Sequence, residues 1–306
     1  MACDDETMRK RFPEITLAAL SAAALLSACH QKPAPSAARP APAPSTAGLD
    51  VNKLNTLVDT QIGGLGTCVV LLDTRSGRGI YHYGDARICL AELPPCATFD
   101  IANGLIGLDQ GVITPQTVYK WDGSPQPFTL WQRDADFSQA FKMQNGWWFQ
   151  HLAGAVGHDR YVERLRAFDY GSHDPAGMTG AFWQGPQAGG FLTITAGQQA
   201  DFIRRFYAGD LPAKPQSLAT VQALTWDETR ADPKGGQIIV SGRGASCSSV
   251  TDGSRRVGWW VGRVMAPAQD ISFAVTIEGV EAPPGIEIER RVKDIFAQVG
   301  LLPAEA

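Results

Sequence analysis

Downstream of residue 60 the apolar positions follow two periods. Thr67-Cys68-Val69-Val70-Leu71-Leu72-Asp73 is a short apolar run, Arg75-Ser76-Gly77 reads as its turn, and Gly79-Ile80-Tyr81-His82-Tyr83 reads as the returning strand. After Pro94-Pro95 the spacing changes to a helical one from Ile101 to Leu108, ending near Gly111. The middle of the chain, 130–210, predicts helices over Ala140–Gly154, Asp159–Phe168 and Ala196–Tyr207. Strand patterns return at Gln237–Ser241, Val257–Val264 and Asp270–Ile277, and 286–299 closes as an amphipathic helix. Two strands, a helical block, three strands and a terminal helix predict an α+β domain with a five-stranded antiparallel sheet.

The N-terminal residues have a different character. Arg9-Lys10-Arg11 precedes an apolar stretch from Leu17 to Ala28. Twelve helical residues rise about 18 Å, short of the ~30 Å hydrocarbon core of a bilayer. A basic region followed by a short apolar one reads as a signal peptide. It ends Leu26-Ser27-Ala28-Cys29, which resembles a bacterial lipobox, in which the cysteine is lipidated and becomes the mature N-terminus. His30, where a retention signal would have Asp, points to the outer membrane. Asp4, Asp5 and Glu6 fit no such leader, so Met8 reads as the true start. Residues 31–48 are rich in Pro, Ala and Ser; such a segment favours polyproline II and reaches roughly 50 Å at about 3.1 Å per residue. The expected organisation is a leader over 1–28, a lipidated Cys29 with its tether over 29–48, and a folded domain over 49–306.

Composition narrows the classes. The chain has 306 residues, 44% hydrophobic and 19% charged, enough for a packed core and unlike a disordered or fibrous protein. With 27 Lys+Arg against 31 Asp+Glu the net charge is −4, which argues against nucleic acid as a partner. Four cysteines of the folded domain, Cys68, Cys89, Cys96 and Cys247, are expected to pair in an oxidising compartment. Three connectivities are open, and Cys89 with Cys96 closes the shortest loop. His151, His158 and His173 share no metal-ligand spacing, and no glycine-rich loop opens a helix with Lys-Ser/Thr, so neither metal nor cofactor is expected.

Pro95-Cys96-Ala97-Thr98-Phe99-Asp100-Ile101-Ala102-Asn103, continued by Leu105-Ile106-Gly107-Leu108-Asp109-Gln110-Gly111, resembles the active-site helix start of class D (oxacillinase-type) β-lactamases. Lys120-Trp121-Asp122-Gly123, Tyr170-Gly171, Phe182-Trp183 and Trp259-Trp260-Val261-Gly262 follow in the family's order. The resemblance covers 60–300 and implies the serine β-lactamase/transpeptidase fold. It also implies acyl transfer, with a serine activated by a lysine three residues on, carboxylated in class D enzymes. A Ser-x-Val element and a Lys-Thr/Ser-Gly strand complete the implied site.

The residues at those positions cannot supply that chemistry. Ala97 stands at the nucleophile position and Asp100 at the lysine position. Gln144-Asn145-Gly146 aligns with Ser-x-Val, and Gly242-Arg243-Gly244 with Lys-Thr-Gly. The family arginine near the last helix falls near Ile288, with Arg290 and Arg291 just beyond. None of the eight lysines has a serine three residues earlier, so no displaced motif replaces the lost one. Asp100 and Arg243 are complementary charges at two borders of one cleft, and an ion pair between them would plug it; because adjacent strand residues alternate faces, Arg243 could also point away. Tyr170, Gly171, Trp147, Trp148 and Trp183 are the candidate lining of the cleft, with core packing as the alternative for the tryptophans. The expected function is therefore non-catalytic: binding of a peptidoglycan stem peptide or an envelope protein by a lipid-anchored periplasmic domain. The alternatives are an acyl hydrolase using Cys96 or Thr98, and a hydrolase using Asp100 as a base for water.

The leader reading carries a direct expectation. The mature protein begins at Cys29 and carries the mass of a lipid modification on that residue, as intact-mass analysis of membrane-extracted protein will show; cleavage elsewhere or an unmodified Cys29 contradicts it.

Overall fold

The computed structural model describes residues 49–63, 66–175, 180–185, 191–249 and 254–303; the leader, Cys29 and the tether lie outside them. In chain order the elements are α1 (Val51–Gln61), β1 (Gly66–Asp73), β2 (Gly79–Tyr83), α2 (Ala86–Cys89), α3 (Asp100–Asp109), β3 (Val118–Tyr119), β4 (Ala135–Asp136), α4 (Phe137–Met143), α5 (Gly146–Val156), α6 (His158–Ala167), α7 (Ala196–Ala208), α8 (Pro215–Leu224), β5 (Trp226–Ala231), β6 (Gln237–Ser248), β7 (Arg256–Ala266), β8 (Gln269–Gly279) and α9 (Gly285–Gln298). The main sheet runs β2-β1-β8-β7-β6-β5 and is antiparallel throughout. It has six strands, not five. The additional one, β5, is Trp-Asp-Glu-Thr-Arg-Ala at the sheet edge, and none of its residues is buried. A strand with no buried face has no apolar period to betray it.

Each central strand faces two cores, because successive side chains point to opposite sides. On β1, Cys68 and Val70 face the helical block, whereas Val69 and Leu71 face α1 and α9. The same parity splits Trp259 from Trp260 on β7. This is why β1, β7 and β8 read as nearly continuous apolar runs. The strands β3 and β4 form a separate two-residue ribbon at the border of the helical block.

The helix expected over Ala140–Gly154 is two helices. Gln144 takes a left-handed conformation (φ 51°) and ends α4, while the Asn145 side chain accepts from the Trp148 amide and caps α5. Asn at this cap outweighs the apolar period that runs through the break. The helices α1 and α8 are absent from the periodicity reading.

The cysteine pairing also departs from expectation. Cys68 bonds Cys89, and Cys96 bonds Cys247. Loop length was a poor guide because closure entropy varies only slowly with length. Placement decides instead: Cys89 on α2 lies against β1, and Cys96 is buried facing β6. The two bridges close separations of 21 and 151 residues. By chain entropy alone they are worth about 3 and about 5 kcal/mol. The Cys96→Ala/Cys247→Ala variant is expected to unfold at lower urea than the Cys68→Ala/Cys89→Ala variant; the reverse order would contradict this ranking.

Candidate functional site

Three pieces of chain converge on one spot: the 3₁₀ turn Cys96–Phe99 that leads into α3, the junction of α4 and α5, and the outer half of β6. β5 pairs with β6 only through Gln237–Ser241. From Gly242 onward no strand among the described residues pairs with the outer side of β6, and the Gly242 N–H bonds the Thr225 carbonyl at 2.8 Å. Parity fixes the side chains. Gly244 faces α9, where a Cβ would come within 2.8 Å of the Gly285 carbonyl oxygen. Arg243, Ala245 and Cys247 therefore face the helical block, and Cys247 is covalently tied there to Cys96.

Arg243 enters that block and is 5% exposed; Asp100, in the first turn of α3, is 2% exposed. The Arg243 Nη2 donates to the Asp100 carboxylate. Its Nε donates to the Ala97 carbonyl at 2.9 Å and its Nη1 to the Phe141 carbonyl at 2.6 Å. The guanidinium also lies over the Phe141 ring, 4.1 Å from the centroid. Phe141 belongs to the last turn of α4, where the helix end carries partial negative charge suited to a cation. A buried pair is tolerable only when its remaining hydrogen-bonding capacity is met, and here two carbonyls and a ring face meet it. Burial pushes the Asp100 carboxyl up to about 6, against the opposing pull of the Arg243 charge and hydrogen bond. Burial likewise lowers Arg243. At neutral pH both groups are charged.

The remaining polar groups at the helix start are committed elsewhere. Ala97 offers only a methyl group to the half-buried surface beside the pair. The Thr98 hydroxyl donates to the Pro95 carbonyl at 2.5 Å and accepts from Gln199 at 2.7 Å, out of contact with solvent. Cys96 is in a disulfide and has no thiolate to offer. Across the gap, Gln144 donates from Nε2 to the Gly244 carbonyl at 2.7 Å. Gly146 opens α5 beneath the Trp131 ring, which a Cβ would meet at 3.1 Å.

The residues expected to line a cleft mostly do not. Trp148 and Trp183 are buried in the core, and the Trp148 indole donates to the Ala135 carbonyl at 2.9 Å. Tyr170 is buried against Phe99 and Phe202, and Gly171 sits where a Cβ would come within 2.0 Å of the Thr193 carbonyl oxygen. Only Trp147 of that set reaches the surface, with its indole N–H on the Trp131 carbonyl at 2.6 Å. Large rings at these positions fill the helical block instead. Near the last helix, Ile288 is core, and Arg290 and Arg291 are held by Glu287, Asp294 and the Gln61 carbonyl. The sulfurs of Cys68 and Cys89 lie close to the His82 ring, but their disulfide leaves a single nitrogen ligand there. Sequence reading missed the parts played by Phe141 and by the Gln144–Gly244 contact; no local motif marks either.

An antiparallel sheet thus carries helices on both faces, with one helix start held against its β6 strand. The penicillin-binding protein transpeptidase domain matches residues 67–297. β-Lactamase OXA-48 of Klebsiella pneumoniae is 30% identical over 211 residues, covering 68% of this chain and 75% of that protein. β-Lactamase OXA-3 of Pseudomonas aeruginosa is 29% identical over 240 residues, 78% of each. Among solved structures, a class D β-lactamase from Nostoc superposes with a TM-score of 0.70 at 26% identity, covering 81% of this chain and 99% of that one. The chain belongs to the family of penicillin-binding transpeptidase domains and class D β-lactamases.

Breaking the buried pair from one side leaves an uncompensated charge. Asp100→Ala is expected to cost about 3–5 kcal/mol, and pairing Asp100→Leu with Arg243→Met to recover most of that loss; urea unfolding of the single and double variants checks this, and additive losses would contradict it. The pH dependence has a defined sign. Because burial raises the folded Asp100 carboxyl to about 6, above its unfolded value of 3.8, the part of stability linked to its protonation is complete below pH 3.8 and lost as pH rises through 6, on top of the loss that breaking the pair itself causes. Asp100→Asn should flatten that part of the stability curve.

Proposed function

We propose that this protein is a non-acylating member of its family, held to the envelope by a lipid on Cys29, and that it binds a cell-wall peptide or an envelope protein at the remodelled cleft. The observation that carries this reading is the Asp100–Arg243 pair, buried beside Ala97 where the family resemblance puts the nucleophile. A methyl group cannot attack a carbonyl. A carboxylate already engaged by a guanidinium and shut away from solvent is a poor base for water. Losing nucleophile and base together removes most of the acceleration of a serine enzyme. At Gly244 and Ser246 no strand among the described residues pairs with the outer side of β6, which leaves an edge on which an extended peptide can add. Two disulfides favour an oxidising compartment such as the periplasm, in keeping with the leader and tether.

The competing reading, an acyl hydrolase with a non-serine nucleophile, draws on the names of the relatives. It needs Cys96 or Thr98, and both are committed to other bonds. Incubation of residues 49–306 with a fluorescent penicillin is expected to give no added mass and no hydrolysed drug. Ala97→Ser alone should behave the same way, because Asp100 and Arg243 still occupy each other. A covalent adduct on the wild-type chain, located by peptide mapping, would establish the enzymatic reading instead. Capture of an envelope partner or peptidoglycan fragment that fails with a cleft variant would support the binding one.

A further inference from the structure

On the outer side of β6, polar backbone groups recur at every second residue, because N–H and C=O of one residue point the same way in an antiparallel strand. The Gly242 N–H points outward, to Thr225, so Gly244 and Ser246 point outward too. The carbonyl of Gly244 is taken by the side chain of Gln144. Gln144 belongs to the opposite wall of the cleft and holds its position through a backbone that is unfavourable for a residue with a Cβ, at φ 51°. Its own amide N–H bonds back to Phe141, the residue whose carbonyl receives Arg243. The two walls are thus joined reciprocally: Arg243 reaches from sheet to helix, and Gln144 from helix to sheet.

The two crossings differ in kind. Arg243 is buried, charged and held by three acceptors. Gln144 is half-buried, neutral and held across the gap by one hydrogen bond. A neutral, partly solvated hydrogen bond is worth little net, since water can replace either partner. It is the crossing that can open while the other stays shut. We propose that Gln144 is an autoinhibitory latch: its side-chain amide occupies the Gly244 carbonyl in place of the backbone N–H of an incoming extended peptide, and binding requires it to swing away. This inference rests on the peptide-binding reading above and adds its regulation.

Two substitutions remove the latch without threatening the fold. Gln144→Gly deletes the side chain and suits the left-handed backbone. Gln144→Asn tolerates the same backbone but is one methylene shorter. The full chain in detergent is titrated calorimetrically with diacetyl-L-lysyl-D-alanyl-D-alanine, a soluble stand-in for a stem-peptide terminus. Both variants are expected to bind about three- to tenfold more tightly than wild type, the range set by the net value of one hydrogen bond. Equal affinity in all three proteins would overturn the latch and leave the binding reading intact. Weaker binding in the variants would also overturn it, making Gln144 a contact for the peptide. No binding in any of them would remove the peptide reading, and the latch with it.

Discussion

The arrangement of the site depends on a guanidinium buried where water cannot reach it. Arg243 has to be matched in charge and in hydrogen bonds, and every neighbour does one or the other. Asp100 supplies the charge, the 3₁₀ turn supplies the Ala97 carbonyl, and α4 supplies both the Phe141 carbonyl and its ring. These acceptors come from the turn before α3, from α3 itself and from α4, so the arginine fixes the spacing of all three against β6. Removing one acceptor leaves the others facing an unsatisfied cation, which is why the group behaves as a unit.

Much of this was legible in the sequence. Asp100 and Arg243 lie at positions where the family motifs are short and ordered, so a charge change at each stood out, and their opposite signs made a pair an obvious test. What the sequence left open was the face taken by Arg243, and the strand parity around Gly244 and Gly285 answers it. The features that stayed hidden had no local signal. β5 buries neither face and so lacks a period. The disulfides follow from which elements pack together, not from the spacing of cysteines. Trp148, Trp183 and Tyr170 were candidates for a cleft because aromatic side chains suit both a groove and a core; their burial depends on tertiary packing, with Phe99 on Trp183 and Phe202 on Tyr170 from distant parts of the sequence and Phe137 on Trp148 across the α4–α5 break.

The fold keeps the family frame around a buried ion pair. Most of the chain superposes on a class D β-lactamase. Arg243 lies on β6 and Asp100 opens α3, so the two face one another. Cys96–Cys247 reinforces the same join covalently, from the residue next to Ala97 to the residue four beyond Arg243.

The central claim is that Arg243 stays buried against Asp100 and its carbonyl acceptors. Nitrogen-15 NMR of the arginine side chains, with Arg243 assigned by its loss in Arg243→Lys, tests it most directly. The account predicts a slowly exchanging Arg243 Nε–H that does not move when penicillin is added to saturation. A resonance that exchanges rapidly with water, or that shifts on adding the drug, would contradict it.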